Sequence, residues 1–346
     1  MRVILIAAAL AAGGCTWARP VSYGLPPGTS ASFAPSERHI ALAFEKMFCT
    51  VLEAEFGAEW EPCNKYVHMS QAHAPQALAG MPTDFTVLQL GGFGAQCVIN
   101  VAETFGDAAE HLRTTHAISA VHVPLGAFDS SESNAVLIRD FIQARDDSEK
   151  FVVLAHSKGA ADLMVAFAAY PSELAQIKAV VTVAGAVGGS WLVDRIPGVI
   201  GEILEAIGGT SCPRQVAAVA NNAVESMRRA TRQEFLASHE RMTTPSFAIS
   251  AVSTEDTTSK VLKPLWKRLL PYAKEQDSHI MERESVIPGG VFLGRALGDH
   301  WAVAFPIIPN PNATQDLREL ADKNPYPRAA LIEAALRIAI AEIGPP

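Results

Sequence analysis

Six short apolar runs set the limits on how this chain can fold. They are Phe85–Leu90, Ile118–Val123, Phe151–Ala155, Ala179–Ala184, Phe247–Val252 and Val291–Leu297. Each is rich in Val, Ile, Leu or Phe and none alternates cleanly with polar residues, so each reads as a strand buried on both faces. Helical patterns lie between the first four, at Ala102–Thr115, Asn134–Arg145 and Gly159–Tyr170. Doubly buried strands alternating with helices imply an α/β fold: a mostly parallel central sheet with helices on both faces. No repeat period is visible.

The flanks are organised differently. Residues 16–35 hold Pro, Gly and Ser and read as an extended tether. Ser36 precedes a helical pattern from Glu37 to about Phe56, with Ile40, Ala43, Phe44, Met47 and Val51 on one face. The stretch from about 186 to 244 breaks the strand–helix alternation. It is glycine-rich at first, then helical over Val216–His239, and reads as a lid insertion at the C-terminal edge of the sheet. Pro325 and Pro327 precede a last helix, Arg328–Ile343, whose apolar residues should dock on the core. A length of 346 residues allows two domains or one large domain with an insertion. The pattern favours the second, with an N-terminal tether and helical extension over 16–83 and the main domain over 84–346.

Before the tether, Met1-Arg2 is followed by the apolar run Val3–Ala12 and then Gly13-Gly14-Cys15. A short basic start, an apolar core and small residues read as a secretory signal over 1–15. Cys15 stands where a lipobox keeps its lipidated cysteine, so export to a bacterial periplasm, with membrane association through Cys15 or otherwise secretion, is expected. Cys49, Cys63, Cys97 and Cys212 remain, and an oxidising compartment favours disulfides among them. Four cysteines allow three pairings, and spacing does not choose. The 36 acidic and 28 basic residues give a net charge of −8, and no Lys/Arg run exceeds two. No basic patch is offered to nucleic acid.

The third run leads directly into chemistry. Phe151–Ala155 is followed by His156-Ser157-Lys158-Gly159 and then by a helical pattern. A serine at the apex of a strained strand-to-helix turn, with small residues two before and two after it, is a nucleophile elbow. Ala155 and Gly159 are those small residues, and His156 occupies an elbow position whose side chain should point away from the reacting centre. A serine hydroxyl needs a base that is itself oriented by a carboxylate. In elbow sheets the acid and then the histidine follow the serine. His239 lies in the insertion, and His279 belongs to the loop that should carry the acid. His300, just after the last apolar run, is the base expected here. Asp256 directly follows the fifth run and Asp277 comes later; spacing alone does not separate them. Asp299 adjoins His300 and would be a poor orienter. An oxyanion hole would draw its N–H groups from Lys158 and from Phe93, or alternatively Gly92, in the loop Leu90-Gly91-Gly92-Phe93-Gly94. That loop is not GxGxxG, and no acidic residue ends a second strand, so a dinucleotide site is excluded.

Taken together, Leu90–Gly94, Asp129–Asn134, Ala155–Gly159, Val183–Ser190, Val286–Gly289 and Gly298–Ala302 resemble the α/β-hydrolase superfamily, and within it bacterial exported lipase/esterase-like hydrolases. The likeness spans roughly residues 84–307. In lipases of comparable layout the acid sits in a turn before the histidine loop. The matching position here is Gln276-Asp277-Ser278, so the resemblance favours Asp277, with Asp256 as the alternative. It implies a serine hydrolase of carboxylic esters, working through an acyl-enzyme with no metal or organic cofactor on a small hydrophobic ester or lipid. Gly188 and Trp191, at the start of the insertion, are expected to line the acyl pocket. The same triad would serve an acyltransferase or amidase. A third reading is a non-catalytic envelope lipoprotein of the same fold, against which the intact Ser157, His300 and acid argue.

Overall fold

The computed structural model describes residues 38–73, 77–95, 102–195, 221–239, 242–307 and 322–344. Each apolar run forms a strand: β1 (Thr86–Leu90), β2 (Ser119–His122), β3 (Phe151–His156), β4 (Ile177–Val183), β5 (Ser246–Val252) and β6 (Val291–Leu297). They pair in the order β2-β1-β3-β4-β5-β6, every pair parallel. The described helices are α1 (Arg38–Val51), α2 (Gly106–His116), α3 (Ser131–Gln143), α4 (Lys158–Ala169), α5 (Trp191–Arg195), α6 (Asn221–Ser226), α7 (Arg229–Ser238), α8 (Lys263–Leu269), α9 (Glu282–Ser285) and α10 (Arg328–Ile343). None of them is long and apolar enough to cross a membrane.

The continuous apolar character of the strands follows from burial on two sides. Successive side chains of a strand point to opposite faces. In β3, Val152 and Leu154 join the cluster that contains Phe44 of α1, Leu112 of α2 and Leu331 of α10. Phe151, Val153 and Ala155 join the opposite cluster, with Ile138 of α3 and Leu163 of α4. On the first face α10 lies against both α1 and α2, and on the second α3 packs on α4. A carboxylate also ties α2 to α10: Glu333, fully buried, lies 2.6 Å from His111 Nε2 and 3.0 Å from His116 Nε2, and accepts from Arg337.

Three helices depart from their expected spans. The pattern at 102–115 becomes helical only at Gly106, because Phe105 adopts φ 58° and cannot continue a helix from Ala102. The helix expected from Asn134 starts at Ser131, since the Ser130 hydroxyl caps it by accepting from Ser133 N–H. The single helix expected over 216–239 is, in its described part, two: α6 and α7. They break at Met227-Arg228, where Ser190 N–H bonds the Met227 carbonyl and Arg228 is extended. Residues 1–15, the tether, Cys97, Cys212 and the middle of the insertion lie outside the described residues.

The segment preceding β1 is packed into the sheet's own core. Phe44 and Phe48 are fully buried in the cluster that holds Ile249 and Ala296. Cys49, near the end of α1, forms a disulfide with Cys63. Immediately afterwards the chain runs antiparallel along β6, with a bridge between Val67 and Ala296. Leu297 N–H donates to the Tyr66 carbonyl and His68 N–H to that of Arg295. The free edge of β6 is thereby covered, which removes a site for pairing with other chains. The disulfide spans 14 residues, and closing a loop of that size contributes about 3 kcal/mol. Replacing Cys49 and Cys63 by Ser should therefore lower stability by roughly 2–4 kcal/mol in urea unfolding; an unchanged midpoint would show that packing alone holds this segment.

Candidate active site

β3 ends at His156 and α4 begins at Lys158, so Ser157 alone makes the turn between them. Its backbone stands at φ 53°, ψ −125°, a region that costs a residue with a side chain on the order of 1–3 kcal/mol. Its carbonyl accepts from Ala160 N–H at 3.2 Å and Ala186 N–H at 2.8 Å. Two glycines permit the surrounding approach. A Cβ on Gly159 would lie 2.6 Å from the Gly91 carbonyl oxygen, and one on Gly92 would lie 2.6 Å from Ser157 Cβ. The methyl of Ala155, in the third small position, is buried in the cluster with Leu90 and Leu163.

A hydrogen-bonded chain starts at this serine. Ser157 Oγ is 3.0 Å from His300 Nε2, and His300 Nδ1 is 2.7 Å from Asp277 Oδ2. A carboxylate only accepts, so Nδ1 carries the proton and Nε2 is left to accept from the hydroxyl. His300 follows β6, and its own N–H donates to the Asp277 carbonyl at 2.9 Å. Asp277 lies between α8 and α9, where Ser278 takes φ 84° and turns the chain sharply. The other carboxylate oxygen accepts from His279 N–H and Ile280 N–H, at 2.9 and 2.7 Å. Asp277 is thus the carboxylate that touches the His300 ring. Asp256 is exposed after β5. Asp299 turns away to accept from Ser259, Trp301 and Ala302.

His300 lies between two other histidines. The His279 ring stacks on it at 4.5 Å and 14°, and the His156 ring lies 4.6 Å away at 42°. The His156 side chain therefore does not point away from this centre; its Nε2 holds the His300 carbonyl at 3.0 Å. Burial pushes all three imidazoles down, so they are neutral at physiological pH. Burial pushes the Asp277 carboxyl up, against the pull of its two N–H donors. Sequence reasoning placed His279 in the acid loop but not on His300. Its spacing, two residues after Asp277, was the available signal.

Beside Ser157, Ala95 N–H bonds the Gly92 carbonyl at 3.2 Å and Gly94 takes φ 70°. This is a type II turn with Phe93 at its second position, whose N–H the turn leaves unused. Lys158 opens α4, where an N–H likewise has no partner within the helix. The Lys158 side chain points elsewhere, to a buried ion pair with Asp162 at 2.6 Å. The cleft at Ser157 has a volume of about 40 Å³ and opens at the surface. Leu192, Val193, Met227, Ile280 and Phe305 supply apolar lining.

Gly188 and Trp191, expected in that lining, are not on it. Gly188 is held against Glu284, to whose carbonyl its N–H bonds at 2.7 Å, and Trp191 packs on Tyr272 at 4.1 Å. Ser190, Leu192 and Val193 face the cleft instead, because α5 begins at Trp191 and its first turn directs that side chain to Tyr272. A larger hollow of about 560 Å³ opens between α4 and α7. It shares no residue with the Ser157 cleft.

No family model matches the chain, and no curated protein matches it. Solved structures do. The metagenomic carboxyl esterase MGS0156 is 26% identical, with 91% of this chain and 97% of that one covered at a TM-score of 0.76. EstA from Clostridium botulinum (12% identity, 76% and 89% covered, TM-score 0.56) and lipase 1 from Pelosinus fermentans (10%, 74% and 99%, 0.53) share the fold. The chain has the α/β-hydrolase fold: a parallel sheet with helices on both faces and a serine on the elbow after β3.

Only the unprotonated His300 ring can accept the serine proton, and its burial moves the protonation of that ring to lower pH. The acid limb of kcat/KM, which reports the free protein, should therefore have its midpoint below the ordinary histidine value of 6.5. Activity should fall as pH drops through the depressed value. A pH–rate profile with an acid midpoint above 6.5 would contradict this.

Proposed function

We propose that the protein is a serine hydrolase of carboxylic esters, lipase/esterase-like, with Ser157 as nucleophile, His300 as base and Asp277 as its orienting acid. The observation that carries this reading is the unbroken chain from Ser157 Oγ through both ring nitrogens of His300 to Asp277, on a strained elbow. The likeness to a carboxyl esterase over nine-tenths of the chain supports it.

In this mechanism Ser157 Oγ attacks the ester carbonyl carbon while its proton passes to His300 Nε2. The carbonyl π pair moves onto oxygen, where the amides of Phe93 and Lys158 hold the negative charge, with that of Gly92 as the alternative donor. Asp277 stabilises the imidazolium without taking its proton. Reforming the carbonyl breaks the bond to the alcohol oxygen, which leaves with the proton from His300. Water then attacks the acyl-enzyme, gives its proton to His300, and the acid departs as Ser157 recovers its hydrogen. The apolar lining of the cleft suits a hydrophobic ester or lipid.

Export follows as part of the proposal: the apolar run Val3–Ala12 before Cys15 supports it, and the Cys49–Cys63 disulfide fits an oxidising compartment. Lipidation of Cys15 would add a membrane anchor.

Hydrolysis of p-nitrophenyl esters of short and medium acids tests the assignment. Ser157→Ala and His300→Ala should each lose about 10⁴-fold or more in kcat, and Asp277→Asn roughly 10⁴-fold. Asp256→Ala should stay within about twofold. A fluorophosphonate should label wild type and not Ser157→Ala. Full activity in Ser157→Ala would remove the nucleophile and the reading with it.

A further inference from the structure

The acid loop holds one polar atom that the reaction above does not use. His279 is fixed on several sides. Its N–H donates to Asp277, its carbonyl accepts from Ser190 Oγ at 2.8 Å, and its ring lies flat on His300. Its Nδ1 is 3.0 Å from Ser278 Oγ. Its Nε2 is buried and has no hydrogen-bond partner among the described residues, although the residue lines the cleft beside Ser157. Buried polar atoms are nearly always paired, so one left open on a binding cleft calls for an explanation. His156 Nδ1 is likewise unpaired, on a ring that meets Phe105 and Phe305 edge-on.

The tautomer follows from the neighbour. Ser278 is fully buried, and among the described residues its hydroxyl has no partner besides His279 Nδ1. The hydroxyl hydrogen is satisfied only by donating to that nitrogen. The ring is neutral, since burial pushes its protonation down, so its single hydrogen is on Nε2. A residue that lines the cleft therefore carries a buried, unpaired N–H donor.

We propose that His279 Nε2–H is a substrate-binding donor, which takes a second acceptor oxygen of the ester, so that the enzyme favours esters of oxygenated acids or alcohols over plain alkyl esters of the same shape. This rests on the reading of Ser157 as nucleophile. The scissile carbonyl oxygen belongs to the Phe93 and Lys158 amides, whereas His279 approaches from the acid loop on the face of His300. It is thus free to meet a different atom of the substrate. The stacked ring fixes the direction of the N–H, and Ser190 ties it to the start of the insertion.

The test compares pairs equal in shape that differ by one ether oxygen. On the acyl side these are p-nitrophenyl pentanoate and p-nitrophenyl 3-methoxypropanoate. On the alcohol side they are butyl butyrate and 2-methoxyethyl butyrate. Each enzymatic ratio of kcat/KM is divided by the ratio for alkaline hydrolysis, which removes intrinsic reactivity. Wild type should favour the ether member of one pair by about tenfold, the effect of one net hydrogen bond. His279→Phe, which keeps a stacked ring without the donor, should bring that ratio to about one. His279→Gln, which restores an N–H, should recover part of it. Because each ratio is taken within one variant, a general loss of activity does not affect it. If His279→Phe does not fold by thermal melt, His279→Leu supplies the same comparison. Ratios near one in both pairs for wild type, or a wild-type ratio retained without the imidazole, would overturn the proposal. Failure of the underlying reading is seen separately, as ester hydrolysis that survives Ser157→Ala.

Discussion

With φ at 53°, Ser157 occupies a conformation that its own side chain resists, and the surrounding contacts hold it there. Ala186 N–H and Ala160 N–H fix its carbonyl. Gly159 lets the first turn of α4 press on the loop after β1, and Gly92 lets that loop press on the serine. The same two close approaches bring the Phe93 turn beside the hydroxyl. The elbow and the loop after β1 are therefore one packing unit, and a methyl at either glycine would drive them apart. The two buried strands behind them, β1 and β3, are adjacent in the sheet and share a register from Thr86–Phe151 to Leu90–Ala155, which sets the height at which serine and turn meet.

Much of this could be read from residue order. Doubly buried strands have a plain signature, so all six appear in the sequence within a residue or two of their ends. Ser157 was legible because a strand, a small residue, a serine, a glycine and a helix must come in that order. His300 was legible because only three histidines follow the serine. Spacing did not separate Asp277 from Asp256. What distinguishes them is the positive φ of Ser278 and the N–H groups of His279 and Ile280 that receive the carboxylate, and these exist only once the loop has folded. Gly188 and Trp191 show the opposite failure. Their neighbourhood was placed near the cleft, but which residues of a short helix face inward depends on where its first turn begins.

The three neighbouring histidines set the surroundings of the His300 ring. His279 stacks on the His300 ring and His156 lies tilted beside it, both without charge. The ring is nearly fully buried, so a positive charge on it would meet aromatic rings and the Asp277 carboxylate more than solvent. Charges interact more strongly in such surroundings than in water, which makes the single hydrogen bond to Asp277 more effective.

The bridge between Val67 and Ala296 joins residues far apart in the order of synthesis. The strip that seals β6 is made early, and the strand it seals is made last of the six. α1 waits longer still, for α10. Until those elements emerge, the core around Phe44 and Phe48 is incomplete and β5 has only β4 beside it. Contacts of this separation slow folding because a long loop must close before they form. His300, only three residues beyond Leu297, can thus meet Ser157 only after the last strand has been made.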